Sequence, residues 1–75
     1  MIRIKNVTPV AKYALEVEFD DGARKKCDIQ QFLTIGDFTE LKDENLFKQA
    51  RNTGFSVEWP NDLDLSSDTL YAIGH

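Results

Sequence analysis

Between Tyr13 and Ile29 the chain alternates so regularly around an Asp20-Asp21-Gly22 turn that an antiparallel hairpin is the simplest structure to satisfy it. Tyr13, Leu15, Val17 and Phe19 line one face, and Ala14, Glu16 and Glu18 line the other, which is the two-residue period of a half-buried strand. Loop length selects the register. A two-residue loop would set Phe19 against Arg24 and Val17 against Lys26, wasting the apolar face. A three-residue loop sets Phe19 opposite Ala23, Leu15 opposite Cys27 and Tyr13 opposite Ile29, with Glu18 facing Arg24 and Glu16 facing Lys26 on the wet side. The longer loop is therefore predicted, as a type I turn closed by a left-handed Gly22. Lys25 interrupts the apolar face, and its stem is expected to lie along the sheet with the ammonium at the rim.

The last third carries a second set of signals. Phe55, Val57 and Trp59 alternate with Ser56 and Glu58, and Pro60 ends this strand, because it has no N–H for a ladder and holds Trp59 extended. A turn at Asn61-Asp62 follows. Ser66 is placed to cap a helix, with Asp68 near the positive helix end and Leu65 and Leu70 spaced as a hydrophobic staple.

The remaining elements are shorter. Ile2 and Ile4 alternate with Arg3 and Lys5, the pattern loosens through Val7-Thr-Pro-Val10, and Pro9 marks an edge strand or its end. Ala11-Lys12 is expected to connect it to the hairpin. A helical turn over Ile29–Leu33 with Asp28 as cap gives way at Thr34-Ile-Gly36. Asp37–Asp43 reads as a connector with Phe38 and Leu41 turned inward, and Asp43 is expected to cap a helix over Glu44–Arg51 that Asn52-Thr-Gly54 stops. Together these predict one α+β domain: a small antiparallel sheet, made of an N-terminal three-strand meander plus a later strand, packed against two short helices.

Seventy-five residues leave room for one core, and a chain of this size buries only about 60% of its unfolded surface. Self-association is one way to add to so small a core, and makes a homodimer one expectation. The net charge of −4 and pI near 4.7 weigh against nucleic acid as a partner, since phosphate binding is mostly neutralisation by Lys and Arg. Arg24-Lys25-Lys26 is no exception, because strand alternation sends its members to opposite faces. No stretch is long enough to span a membrane, and the N-terminus lacks the apolar run of a signal peptide. A single cysteine fits a reducing cytoplasm.

Candidate chemistry is sparse. Cys27 falls on the buried face with no clear basic activator, so it reads as a core thiol. His75, the only histidine, has no second histidine to form a metal pair and is expected at a frayed terminus. Asp62, Asp64 and Asp68 suggest a cation loop, but counting from Asp62 the sixth position is Ser67 and the twelfth Ile73, where a calcium loop needs Gly and Glu. No catalytic, metal or cofactor site is therefore expected. Trp59, Asn61, Asp62, Asp64 and Asp68 form the candidate interaction surface, although Trp59, at the end of an apolar strand face, fits the core better than an exposed anchor.

The ordered pieces Leu15-x-Val17-x-Phe19-x-Asp21-Gly22 with Asp28, Phe38-x-x-Leu41-x-Asp43-x-x-x-Phe47, and Trp59-Pro60 with Asp64-Leu65-x-x-Asp68-x-Leu70-Tyr71 resemble the bacterial domain-of-unknown-function family 2442 over nearly the whole chain. The resemblance implies a small α+β domain without agreed catalytic residues. It also implies a gene often placed beside another short reading frame, in the manner of toxin–antitoxin pairs. Some relatives carry a helix-turn-helix after this module, an extension not expected for this chain. The expectation is a protein-interaction module, the acidic member of a pair that meets a basic protein through the Trp59–Asp68 loop or an exposed sheet edge. A small ligand-binding or regulatory domain with a pocket between sheet and helices is the alternative.

Overall fold

The computed structural model describes residues 2–10 and 12–75. Met1, and Ala11 of the expected connection, lie outside the described residues. Three strands, β1 (Ile4–Val10), β2 (Ala14–Phe19) and β3 (Arg24–Asp28), form an antiparallel meander in that order. The hairpin register is the one loop length selects: Leu15 faces Cys27, Glu16 faces Lys26 and Glu18 faces Arg24. Phe19 N–H donates to the Ala23 carbonyl at 2.8 Å and Gly22 N–H to the Phe19 carbonyl at 3.0 Å, with Gly22 at φ +89°. Lys25 lays its stem along the sheet and ends with Nζ 4.1 Å from the centre of the Tyr71 ring. Tyr13 faces Ile29 through a 2.9 Å hydrogen bond, yet it stands outside β2. Lys12 and Tyr13 instead take φ of 62° and 61°, the paired left-handed residues of a tight hairpin turn.

The loosened pattern after Lys5 has a geometric cause. Ile4 pairs with Phe19 and Asn6 with Glu18, so β1 spends two residues where β2 spends one. This bulge at Lys5 reverses which side chains face inward: Ile4 is on the core side before it, and Val7 and Pro9 are on that side after it.

The later strand does not join the meander. It is β5 (Ser56–Glu58), at the centre of a second antiparallel sheet between β4 (Arg51–Asn52) and β6 (Asp64–Ser66). Phe55 lies just outside β5 and is 45% exposed, with the Arg3 guanidinium 5.3 Å from its ring centre. The Pro60 turn is itself a hairpin loop, in which Asp62 N–H donates to the Trp59 carbonyl (3.1 Å) and Trp59 N–H to the Leu63 carbonyl (2.8 Å). Asn52 joins the two sheets: its Nδ2 donates to the carbonyls of Ile4 (3.0 Å) and Lys5 (3.3 Å), while Ile4 N–H reaches the Gly54 carbonyl at 2.7 Å.

Asp43 caps α1 as expected, its Oδ1 accepting from Asn45 N at 2.9 Å, but α1 covers only Glu44–Phe47. The helix predicted through Arg51 stops early because Trp59 intervenes. The Phe47 carbonyl, which in a longer helix would accept from the Arg51 N–H, takes the Trp59 indole N–H at 3.0 Å and the Ala50 N–H at 3.3 Å. Arg51 is thereby released to pair with Glu58 in β4–β5. The connector Asp37–Asp43 is more regular than expected, since 3₁₀ turns run over Gln30–Phe32 and Gly36–Lys42. Asp28 Oδ1 holds Gln30 N at 2.9 Å where the first begins.

Ser66 caps α2 (Ser67–Ile73), its Oγ accepting from Thr69 N at 3.2 Å. Both staple residues, Leu65 and Leu70, are buried. α2 covers the meander's apolar face: Tyr71 packs edge-on against Phe19 with ring centres 4.8 Å apart, and Cys27 donates its S–H to the Leu70 carbonyl at 3.2 Å. Beyond it the chain crosses β3 so closely that a Cβ on Gly74 would stand 2.6 Å from the Lys25 Cβ. His75 is not frayed. Its N–H and C=O both bond Lys26, at 3.2 and 3.0 Å, occupying the outer edge of β3 at that residue. A single apolar core, with Phe19 and Trp59 its largest fully buried members, fills the space between these elements.

Candidate functional site

The net negative charge belongs to one half of the chain. Residues 1–28 hold six Lys and Arg against five Asp and Glu, whereas residues 29–75 hold three against eight, so the halves carry +1 and −5. The expected interaction residues sit in the acidic half, and the fold divides them.

Trp59 leaves the set. At 1% exposure, with its indole N–H committed to Phe47, it is a core anchor and can meet no partner. Asn61, Asp62, Asp64 and Asp68 stay at or near the surface. Asp62 takes φ +68° at the loop corner, a conformation that side chains other than Gly, Asn and Asp rarely accept. Asn61 is half-buried and its Nδ2 donates to Glu40 Oε1 at 3.4 Å, which ties the hairpin loop to the 3₁₀ segment. Asp64 lies directly across from Glu58 in the β5–β6 ladder, a like-charge pair that works against the sheet. Arg51, on the far side of Glu58, holds its Oε1 at 2.8 Å and offsets part of that repulsion. Asp68 stands exposed in the first turn of α2.

The meander's wet face is electrically quieter. An open depression of about 550 Å³ there is lined by Asn6, Thr8, Glu16, Glu18, Arg24 and Lys26 among others. Glu18 already accepts from Asn6 at 3.1 Å and lies 3.8 Å from Arg24 and 4.0 Å from Lys5. Its edges are also partly closed. Lys26 is bonded to His75 on one side. On the other, strand alternation turns the polar groups of Val7 and Pro9 outward, and Pro9 has no N–H to offer.

Cys27 behaves as a core thiol, since burial pushes its pKa up to about 11 against a small opposing pull from Lys25. Asp21 is held below the usual carboxylate range, first by the Ala23 N–H on Oδ1 (2.9 Å) and then by the Tyr71 hydroxyl on Oδ2 (2.8 Å); that second bond in turn raises Tyr71. These groups pin α2 to the first hairpin. Among the described residues, no three His, Cys, Asp or Glu side chains converge as metal ligands, and no helix is long and apolar enough to cross a membrane.

One surface feature lay unread in the sequence. Ile29, Phe32, Ile35, Phe38 and Leu41 recur every third residue, the period at which side chains superimpose on a 3₁₀ turn. Ile29 and Leu41 are buried, Phe32 and Phe38 are half-buried with ring centres 5.7 Å apart, and Ile35 is 55% exposed. The stripe begins and ends in the core and bows outward at its middle.

No curated protein and no solved structure matches the chain significantly. A family model described as "Protein of unknown function (DUF2442)" matches residues 4–75, which takes in both sheets, the 3₁₀ ridge and α2. The chain therefore belongs to the DUF2442 family.

Proposed function

We propose that this domain is a non-catalytic protein-interaction module whose acidic second half receives a basic protein, in the manner of the antitoxin-like member of a two-gene pair. The observation that carries the reading is the Glu58–Asp64 pair: two carboxylates held opposite each other across β5 and β6, with Asp62 at the adjoining loop corner. Arg51 offsets only part of this repulsion, and an incoming Lys or Arg would relieve the rest. A cytoplasmic setting is part of the proposal and rests on the single, buried, unpaired Cys27. A catalytic role has little to stand on, because the thiol is inert at neutral pH and hydrogen-bonded inside the core. The test is co-expression with the product of the adjacent reading frame, followed by size-exclusion chromatography with light scattering. A stable complex that dissociates in the triple variant Asp62→Asn, Asp64→Asn, Asp68→Asn is the expected result. A chain that elutes without its neighbour's product would sink the paired-gene reading.

A further inference from the structure

We propose that the 3₁₀ ridge, with Ile35 at its crest and Phe32 and Phe38 as its flanks, is the apolar anchor of the binding surface, and that its occupant is a short amphipathic segment of another protein presenting large apolar residues flanked by Lys or Arg. This rests on the reading above and adds to it a place and a second kind of contact.

The ridge is more than one exposed side chain, because half-buried Phe32 and Phe38 flank exposed Ile35. Among the described residues the large hydrophobic side chains left exposed are Ile35 and Phe55, and Phe55 already has a cation over its ring. Ile35 has no such cover. It is also held outward: Ile35 N–H donates to the Phe32 carbonyl and Phe38 N–H to the Ile35 carbonyl, both at 3.0 Å, so successive turns fix the crest from each side. Two partly exposed aromatic rings and a branched aliphatic on one ridge make the kind of small apolar centre that interfaces bury.

Charge selects the occupant. From Ile29 to Leu41 there is no Lys or Arg, and the exposed charges are Asp37 and Glu40; Lys42, at the end of the second 3₁₀ run, is the cation of the segment. The Asn61–Glu40 hydrogen bond carries this rim onto the second hairpin, where Asp62 and Asp64 follow. The result is an apolar centre with a predominantly acidic border, the complement of a cationic amphipathic helix or strand and a poor match for a second copy of this acidic chain. A copy of the same ridge would bring carboxylate to carboxylate.

The test uses ¹⁵N- and methyl-labelled protein and a synthetic fourteen-residue Leu/Lys amphipathic peptide, with a Ser/Lys peptide of equal charge as control. The ridge assignment expects shifts at the Ile35 methyls and at the amides of Gly36–Glu40, with weaker shifts at Asp62. Affinity should fall at least tenfold for the Ser/Lys peptide and for Ile35→Ser, a surface change whose fold is checked by the retained amide spectrum. Binding that moves Asp62, Asp64 and Asp68 yet is indifferent to Ile35→Ser would overturn the ridge and leave the acidic-surface reading standing. Absence of binding, or binding unaffected by both Ile35→Ser and the triple Asp→Asn variant, would overturn both. Ile35 shifts that depend on protein concentration without peptide would assign the ridge to self-association instead.

Discussion

The two hairpin loops, Phe19–Ala23 and Trp59–Leu63, are built on the same frame and finished differently. Each opens with a buried aromatic whose N–H bonds the carbonyl four residues on and whose C=O accepts from three residues on. Each puts its fourth residue in the left-handed region, Gly22 at +89° and Asp62 at +68°. The first loop uses the residue that takes this conformation without steric cost. The second puts a carboxylate there, beside a like-charged strand pair. One loop is fitted to its backbone with a glycine, and the other sets a charge at its corner in a conformation that Asp takes more readily than most side chains but less freely than Gly.

That contrast can be broken or sharpened by substitution. The largest effect is expected at the aromatic anchors: Trp59→Ala and Phe19→Ala should each cost about 3–5 kcal/mol, enough in a domain this small for chemical denaturation to find little folded protein. A markedly milder loss at Trp59 would mean that the second hairpin is peripheral to the core. Next comes alkaline pH. Cys27 has its folded pKa raised from 9.0 to about 11, so the buried neutral thiol contributes stability that is complete below pH 9 and lost as pH rises toward 11. Tyr71, raised by Asp21, acts in the same direction near its own range. A loss of about 2–3 kcal/mol over that window is expected from the thiol, and urea titrations of Cys27→Val should lack that part.

Smaller effects separate the loop corners themselves. Gly22→Ala should destabilise by about 1 kcal/mol, because alanine must then enter the left-handed region. Asp62→Gly should do the opposite and gain at most about 0.5 kcal/mol, since relief of strain is partly offset by the freedom glycine has when unfolded. A loss at Asp62→Gly would show that the carboxylate supports the loop, which would remove the case for a functional corner. Beyond the second hairpin, Ser67 is fully buried with an unpartnered Oγ in the first turn of α2. Ser67→Ala should be neutral or stabilising, by up to about 1 kcal/mol; a clear loss of Tm would indicate a hidden partner for the hydroxyl.

How far the sequence could be read follows the length of its patterns. The first hairpin was legible down to register because six or more alternating residues and a glycine turn allow only one pairing that keeps Leu15 and Cys27 on the same face. Ser66 was legible because capping is local chemistry. β4 and β6 were not, since Arg51-Asn52 and Asp64-Leu65-Ser66 are too short to show a period and exist only by pairing with β5. The length of α1 was hidden for a different reason: the group that ends it, the Trp59 indole, comes twelve residues later in the chain. At the candidate surface the acidic residues were visible and the ridge was not, because a period of three resembles neither helix nor strand.

The bulge at Lys5 shows where some of this fold's information is stored. Ile2 and Ile4 fall on even positions and Val7 and Pro9 on odd ones, and the single extra residue between them lets the meander take both sets on its core side. Nothing about the lysine side chain, which is exposed, is needed for that. What matters is the count. Position 5 should therefore tolerate almost any residue and yet not tolerate its own removal, a site where the genetic text is read by its spacing and not by its spelling.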